Sequence, residues 1–133
     1  MTDTDIEQRN ARTTREFLAA WSKLYTAALL PYFTPDAVYQ NMPWPALEGT
    51  AAIGGFMDAF FPIADKAQLD TNLLTTKGSL VYTERVDQFW LKGGPHISLA
   101  ILGVFEFDHA GKIKAWRDYF DLKSWLDQGG PAL

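Results

Sequence analysis

The spacing of apolar residues divides the chain into a helical first half and a strand-rich second half. Over residues 7–25 the apolar positions recur every three or four residues, with polar residues between them, which predicts an amphipathic helix. A short second helix is predicted over residues 26–30, where Pro31 ends it. A third helix is predicted to begin at Thr50, a residue typical of N-caps, and to end at Pro62.

Alternating apolar and polar residues predict strands in most of the remaining chain. One short strand is predicted over 37–41, between a turn at 34–36 and a proline-rich loop. Four longer strands, separated by glycine-containing turns, are predicted over 68–76, 81–91, 96–107 and 112–121. A short helix is predicted over 122–126. Helices followed by an antiparallel meander predict an α+β fold, in which helices cover one face of a curved sheet and the concave side surrounds a cavity.

The length of 133 residues fits one domain, predicted over 1–133 with loose tails at about 1–7 and 128–133. Hydrophobic residues make up 47% of the chain and aromatic residues 14%, enough for an ordinary core and for the walls of a pocket. We therefore expect a packed core from which a pocket lined by aromatic rings opens.

The net charge of −4 excludes some classes of partner. An acidic chain without a basic stripe is a poor ligand for nucleic acid or for an anionic membrane, so we expect neither as a partner. The first residues are polar and acidic, and no apolar run is long enough to span a bilayer, so we expect a cytoplasmic location. There is no cysteine and only two separated histidines, so we expect no metal site.

The predicted strand over 81–91 carries charges where an apolar face is expected. With a period of two, Arg85 and Asp87 project from the same face as Val81 and Phe89. Unpaired charges on such a face would be costly, so partners must come from elsewhere in the chain. The last predicted strand offers one, because Asp118 lies between aromatic residues on its own face.

Two carboxylates on one guanidinium suit acid and base catalysis. If Arg85 lies between Asp87 and Asp118, its five donors can hold both carboxylates, while burial and mutual repulsion raise the pKa of at least one. One acid and one base then coexist, and Tyr39 and Asn41 on the first strand could hold a water molecule by hydrogen bonds. This set predicts hydrolysis without a covalent intermediate.

Each of these residues also has a structural interpretation. An arginine and an aspartate on one strand are more often a stabilising ion pair than a catalytic one. Considered alone, Tyr39 is a half-buried phenol and Asn41 an amide at a strand end, and Trp44 and Phe60 are core residues.

Three segments together resemble a known family, the limonene-1,2-epoxide hydrolases. They are YQNMP at 39–43, ERVD at 84–87 and WRDYFDL at 116–122, in the same order and at similar spacing. The resemblance implies a cone formed by a strongly curved mixed sheet with helices packed on it and a deep apolar pocket, as in the nuclear transport factor and ketosteroid isomerase superfamily. It also implies a homodimer and an activity that needs no cofactor.

The resemblance also implies roles for single residues. Asp87 would be the general acid on the epoxide oxygen, Asp118 the base on the water, and Arg85 the bridge between them. Tyr39 and Asn41 would position the water. Trp116 would pack beside the site.

The family pattern does not assign the pocket residues of this chain. We expect Trp44, Phe56 and Phe60 in the pocket together with Trp116, while Trp90 has no family role. The expected activity is addition of water to a small apolar epoxide, giving a vicinal diol. The alternatives are an isomerase of the ketosteroid type, which would move a proton beside a carbonyl, and a binding protein that kept the pocket without the chemistry.

Overall fold

The computed structural model describes residues 1–133, which form four α-helices and six β-strands. The helices are α1 (Asp3–Ala20), α2 (Thr26–Leu29), α3 (Thr50–Phe60) and α4 (Leu122–Asp127). The strands are β1 (Phe33–Asn41), β2 (Leu47–Glu48), β3 (Ala64–Lys77), β4 (Leu80–Leu91), β5 (His96–Phe107) and β6 (Ile113–Tyr119). Single 3₁₀ turns follow α1, α2 and α3.

The six strands form one mixed sheet in the order β2-β1-β6-β5-β4-β3. Strands β3 to β6 are an antiparallel meander, as predicted, and β1 joins it by pairing in parallel with β6. The parallel pairing places Tyr39 opposite Trp116 and Asn41 opposite Asp118. The predicted α+β class and curved mixed sheet are confirmed.

Two features of the strands shape the inner face of the sheet. Every second residue of β4 from Val81 to Leu91 is buried, and Arg85 and Asp87 belong to this buried set. The register of β3 against β4 shifts twice, between Ala64 and Lys66 and between Thr71 and Leu73. Such irregularities bend a strand and increase its twist, which helps the sheet to curve around the core.

The helices cover the concave face and close the core. The ring of Phe17 from α1 contacts aromatic rings from several elements, including Phe33 on β1, Phe105 on β5 and Trp116 on β6. All these contacts are edge-to-face, the geometry that aromatic pairs favour. None of the helices combines the length and the apolar character needed to cross a bilayer.

The amino-terminal helix begins earlier than predicted. Thr2 is its N-cap and accepts a hydrogen bond from the Asp5 backbone, while the Asp5 carboxylate accepts one from the Thr2 backbone. This capping box satisfies two backbone donors and starts the helix at Asp3. The prediction of a loose tail over about 1–7 is therefore wrong, because the capping box starts the helix within this segment.

Other boundaries also differ from the predictions, and the helix predicted over 7–25 ends at Ala20. The segment predicted as a turn at 34–36 is part of β1, which begins at Phe33, and the ladder with β6 is irregular around Pro35. Gly49, with a φ of 86°, precedes α3, so Thr50 is its first residue rather than its N-cap. Strand β3 begins at Ala64, directly after a 3₁₀ turn, and not at residue 68.

Candidate active site

Arg85 lies between the two aspartates and donates to both. Its Nε and Nη2 donate to the two oxygens of Asp87 at 3.1 and 3.0 Å. Its Nη1 and Nη2 donate to the two oxygens of Asp118 at 3.1 and 2.7 Å. Paired, charge-assisted bonds of this kind fix both the distance and the plane of the carboxylates. The sequence prediction that Arg85 lies between these two residues is confirmed.

All three side chains of this cluster are buried. The side chain of Arg85 is fully enclosed, and 4% of the Asp87 side chain and 3% of the Asp118 side chain are exposed. Breaking up such a cluster would leave an unpaired charge without water, which is strongly destabilising. The three charges therefore hold one another in place.

Thr83 and Gly103 complete the surroundings of the guanidinium. The hydroxyl of Thr83 accepts the remaining Nη1 hydrogen of Arg85 at 3.0 Å and donates to the carbonyl of Gly103 at 3.3 Å. A side chain on Gly103 would clash, since its Cβ would lie 2.2 Å from Nη1 and 2.6 Å from the Asp118 Oδ1. Sequence reasoning missed both residues, although Thr83 was visible on the same strand face as Arg85.

Asp118 is held by a second donor as well. The indole Nε1 of Trp116, two residues earlier on β6, donates to its Oδ1 at 2.7 Å. Since Oδ1 also accepts from Arg85, both of its accepting positions are occupied. Oδ2 accepts only from Arg85, so it keeps the capacity to take a proton.

Tyr39 and Asn41 lie beside Asp118 because β1 pairs with β6. The ring of Tyr39 stacks on Trp116 with centroids 4.2 Å apart and planes inclined by 14°. Its hydroxyl donates to the Asn41 Oδ1 at 3.2 Å. Burial and the nearby Asp118 carboxylate raise the pKa of Tyr39 well above its ordinary value, so the phenol keeps its proton. The pair offers both donors and acceptors close to Asp118.

Burial changes the acidity of Asp87. Loss of hydration raises the pKa of Asp87 to about 6, which the two bonds from Arg85 oppose only in part, and the Asp118 charge adds to the increase. Burial by itself would lower the pKa of Arg85, but Asp118 and Asp87 raise it above its ordinary value. The cation is permanent, whereas Asp87 carries a proton over much of the weakly acidic range.

Asp87, Asp118, Tyr39 and Asn41 line one apolar cavity. Its walls are formed by 16 residues, 13 of them hydrophobic, and they include all four residues predicted for the pocket: Trp44, Phe56, Phe60 and Trp116. The cavity has a volume of about 40 Å³, which holds roughly three water molecules. A substrate must therefore be small, or the aromatic walls must move apart to admit it.

Several cavity residues were not predicted. They are Trp21, Leu69, Phe89, Leu99, Ile101, Phe120, Trp125 and Leu133. Phe89 shares the face of Asp87 on β4, and Leu99 and Ile101 share the inner face of β5, so strand alternation alone could have indicated these three.

The carboxy-terminal segment is packed against the cavity wall rather than loose. The backbone of Gly130 donates to the carbonyl of Trp125 at 2.9 Å, and the Trp125 indole donates to the carbonyl of Pro131 at 2.7 Å. A Cβ on Gly130 would lie 2.3 Å from the Trp125 ring, so the close contact requires glycine. The segment brings Leu133 to the cavity, which corrects the prediction of a loose tail over 128–133.

The residues outside the cavity offer little comparable chemistry. Trp90 lies outside the cavity, where its ring stacks on His96 at 4.5 Å. The structure brings together no group of three or more histidine, aspartate or glutamate side chains that could bind a metal ion.

A family model described as the limonene-1,2-epoxide hydrolase catalytic domain matches residues 8–129. The match includes β1, β4 and β6, which carry the five polar residues of the site. The chain belongs to the limonene-1,2-epoxide hydrolase family. The resemblance seen in three short segments therefore extends over nearly the whole chain.

Solved structures share the fold of this limonene-1,2-epoxide hydrolase family member. An epoxide hydrolase of Mycobacterium tuberculosis described as limonene-1,2-epoxide hydrolase-like has a TM-score of 0.80 at 24% identity, over 92% of this chain and 90% of that chain. A putative polyketide cyclase of Xanthomonas campestris has a TM-score of 0.83 at 21% identity, over 92% and 98%. SalBIII, described as an epoxide hydrolase/cyclase-like enzyme in pyran ring formation, has a TM-score of 0.79 at 15% identity, over 88% and 94%. At these sequence identities, the structural similarity shows that the fold is shared.

The raised pKa of Asp87 predicts how stability depends on pH. The folded state holds the Asp87 proton up to about pH 6, whereas the unfolded chain releases it near the ordinary value of 3.8. The contribution of this proton to the free energy of unfolding is therefore present at low pH and is lost as pH rises towards 6. In Asp87→Asn this loss is absent. Between about pH 4.5 and about pH 7.5, the wild type should lose about 2 kcal/mol of unfolding free energy relative to Asp87→Asn.

Denaturant unfolding of both proteins at the two pH values measures this difference. The constant cost of the substitution cancels, because only the change with pH is compared. An equal change in both proteins would show that Asp87 has an ordinary pKa.

Proposed function

We propose that this protein is an epoxide hydrolase that adds water to a small apolar epoxide in one step and releases a vicinal diol. The observation that carries the proposal is the buried guanidinium of Arg85, which holds Asp87 and Asp118 at the wall of an apolar cavity. Membership of the limonene-1,2-epoxide hydrolase family supports the same reaction.

Asp87 is the proposed general acid. Its pKa of about 6 keeps a fraction of the carboxyl protonated near neutral pH. Each of its oxygens accepts one hydrogen bond from Arg85, so one oxygen can carry the proton on its other lone pair. That proton passes to the epoxide oxygen as the carbon–oxygen bond breaks, because a strained ether opens more readily when its leaving oxygen is protonated.

Asp118 is the proposed general base. Its Oδ2 has accepting capacity left, and Tyr39 and Asn41 lie beside it with further donors and acceptors. A water bound by these three residues gives one proton to Asp118 while its oxygen attacks an epoxide carbon. The new carbon–oxygen bond forms as the old one breaks, and no bond to the protein is made.

The protons balance over a complete cycle. Asp118 gains one proton from water and Asp87 loses one to the former epoxide oxygen, so the total charge of the site is unchanged. The resting state returns when Asp118 releases its proton and Asp87 takes one up, after the diol has opened the cavity to solvent. Arg85 keeps its charge throughout, because two carboxylates raise its pKa.

The cavity walls support an apolar substrate. Aromatic rings form most of the surface away from the two aspartates, and Phe60, Phe89 and Trp125 contact one another there with centroid distances of 5.2 to 6.3 Å. These three rings carry no charge, and their one hydrogen-bond donor, the Trp125 indole, already donates to the backbone. Elsewhere on the wall, the buried indole of Trp21 is a donor without a partner. A substrate with one epoxide oxygen and an apolar remainder therefore fits best.

The isomerase of the ketosteroid type is a weaker alternative. Such a reaction uses one carboxylate base opposite neutral donors. Here Arg85 binds both carboxylates, so neither of them is a lone base. Incubation with an unsaturated ketone distinguishes the two activities, because conjugation would be visible in the ultraviolet.

Replacement of either aspartate should remove the reaction. Asp87→Asn cannot supply the proton and Asp118→Asn cannot accept one, so we expect kcat to fall by roughly 10²- to 10⁴-fold in each. Diol formation from a panel of small epoxides measures the loss, and Asp65→Asn, at an exposed position on β3 outside the cavity, is the matched control. Substantial activity in either site variant would remove that residue from its role. A folded wild type that binds apolar ligands but forms no diol would indicate a binding protein.

The origin of the second diol oxygen tests the single step. In single-turnover hydrolysis in heavy-oxygen water with excess protein, we expect the label in the diol at once, because water attacks directly. A covalent ester would instead place label in a carboxylate of the protein and leave the first diol unlabelled. Mass spectrometry of the diol and of the protein separates the two outcomes.

The pH dependence of kcat/KM tests whether Asp87 is the general acid. Since Asp87 must be protonated and its pKa is raised to about 6, kcat/KM should decline above that pH, approaching roughly tenfold for each further pH unit. Initial rates over a range of buffers measure the profile. A flat profile from weakly acidic to alkaline pH would contradict a role for Asp87 as the acid.

A further inference from the structure

We propose that Thr83 is a positioning residue for Arg85, and that it holds the guanidinium in the one orientation in which it can bind both aspartates. The inference rests on the proposed function for its kinetic part only. It starts from the hydrogen bonds of the guanidinium, in which Thr83 is the partner that is not a carboxylate.

The direction of the hydrogen bonds at Thr83 is determined by its neighbours. Arg85 has no acceptor, so the Thr83 hydroxyl must accept from Nη1. The carbonyl of Gly103 has no hydrogen to give, so the single Thr83 hydrogen is donated to it. The Thr83 oxygen is thereby oriented towards Arg85 by the backbone of β5.

Thr83 accounts for the last donor of the guanidinium. Arginine has five N–H hydrogens, and four of them are bound by Asp87 and Asp118. Without Thr83 the fifth would be buried with no partner, which is costly. The guanidinium could reduce this cost only by tilting, and tilting would disturb the paired bonds to both carboxylates.

The backbone around Thr83 leaves room for this arrangement. Gly103 pairs with Thr83 on one side and with Asp118 on the other, so the three positions lie in a row across β4, β5 and β6. A Cβ on Gly103 would lie 3.0 Å from the Thr83 hydroxyl as well as within 2.6 Å of both Arg85 and Asp118. The guanidinium lies over the one position in this row that lacks a side chain.

Thr83 itself does not line the cavity. It is fully buried behind the guanidinium and cannot touch a bound substrate. Its removal should therefore alter the orientation of the acid and the base without altering the binding of the substrate. This separates it from Tyr39 and Asn41, which line the cavity.

The test is the exchange of Thr83 for valine and for serine. Thr83→Val keeps the shape but removes the acceptor, and we expect kcat to fall by roughly 10- to 100-fold with KM within about twofold, since small errors in position are costly in catalysis. Thr83→Ser keeps the hydroxyl and should recover kcat to within about threefold of the wild type. Thr34→Val is the matched control, because Thr34 is also buried but its hydroxyl has no hydrogen-bond partner, and its kcat should be unchanged.

Three kinetic results would overturn the proposal. They are an unchanged kcat in Thr83→Val, an equal loss in Thr83→Ser, or a loss that appears in KM alone. Melting temperatures establish that each variant is folded. If Thr83→Val does not fold, Thr83→Cys replaces it, since a thiol is of similar size and a weak acceptor.

A second measurement is independent of epoxide hydrolysis. When all five N–H groups are bound, rotation of the guanidinium is slow, and the Arg85 Nη hydrogens should give separate signals in nitrogen-15 NMR spectra of the wild type. In Thr83→Val the signals of Nη1 should broaden or merge, and in Thr83→Ser they should stay separate. Identical Arg85 signals in wild type and Thr83→Val would overturn the role of Thr83. A wild type inactive on every epoxide would overturn the proposed function and leave this NMR test unaffected.

Discussion

One interaction organises the site: a permanent cation buried between two carboxylates. Taking three ionisable groups out of water is costly unless their attraction and hydrogen bonds compensate for it. Arg85 meets this condition because all five of its N–H groups are bound, four by Asp87 and Asp118 and one by Thr83. A proton on Asp87 would make the whole cluster neutral, and burial favours that neutral state. The acid of the proposed reaction is therefore a consequence of the way in which the charges are packed.

The sheet supplies the precision that this packing needs. Arg85 and Asp87 are two residues apart on β4, so strand alternation alone places them side by side on the concave face. Asp118 reaches the same guanidinium across β5, and only the absence of a side chain at Gly103 permits the approach. Sites on strands of a sheet are held more precisely than sites on loops. No loop residue belongs to this cluster.

The sequence predicted those parts of the site that depend on local periodicity. It placed Arg85 and Asp87 on one apolar face and indicated Asp118 as their partner because Asp118 lies among aromatic residues on the last strand, whereas the separate roles of the two aspartates came from the resemblance to a family. Thr83 was missed because its importance comes from a carbonyl on the neighbouring strand, which periodicity within β4 does not reveal. The packed segment around Gly130 was missed for a similar reason, since glycine and proline are typical of loose ends when their contact with Trp125 is unknown.

The parallel pairing of β1 with β6 has a consequence for folding. These strands are far apart in sequence, and every strand from β3 to β5 lies between them along the chain. Contacts over such separations form late, because the entropy of closing a long loop must first be overcome. We therefore expect Tyr39 and Asn41 to join Asp118 after the meander has formed. The complete set of polar residues exists only in the fully assembled sheet, and a partly folded chain with β1 unpaired would contain the ion cluster but not the pair that we propose to bind the water.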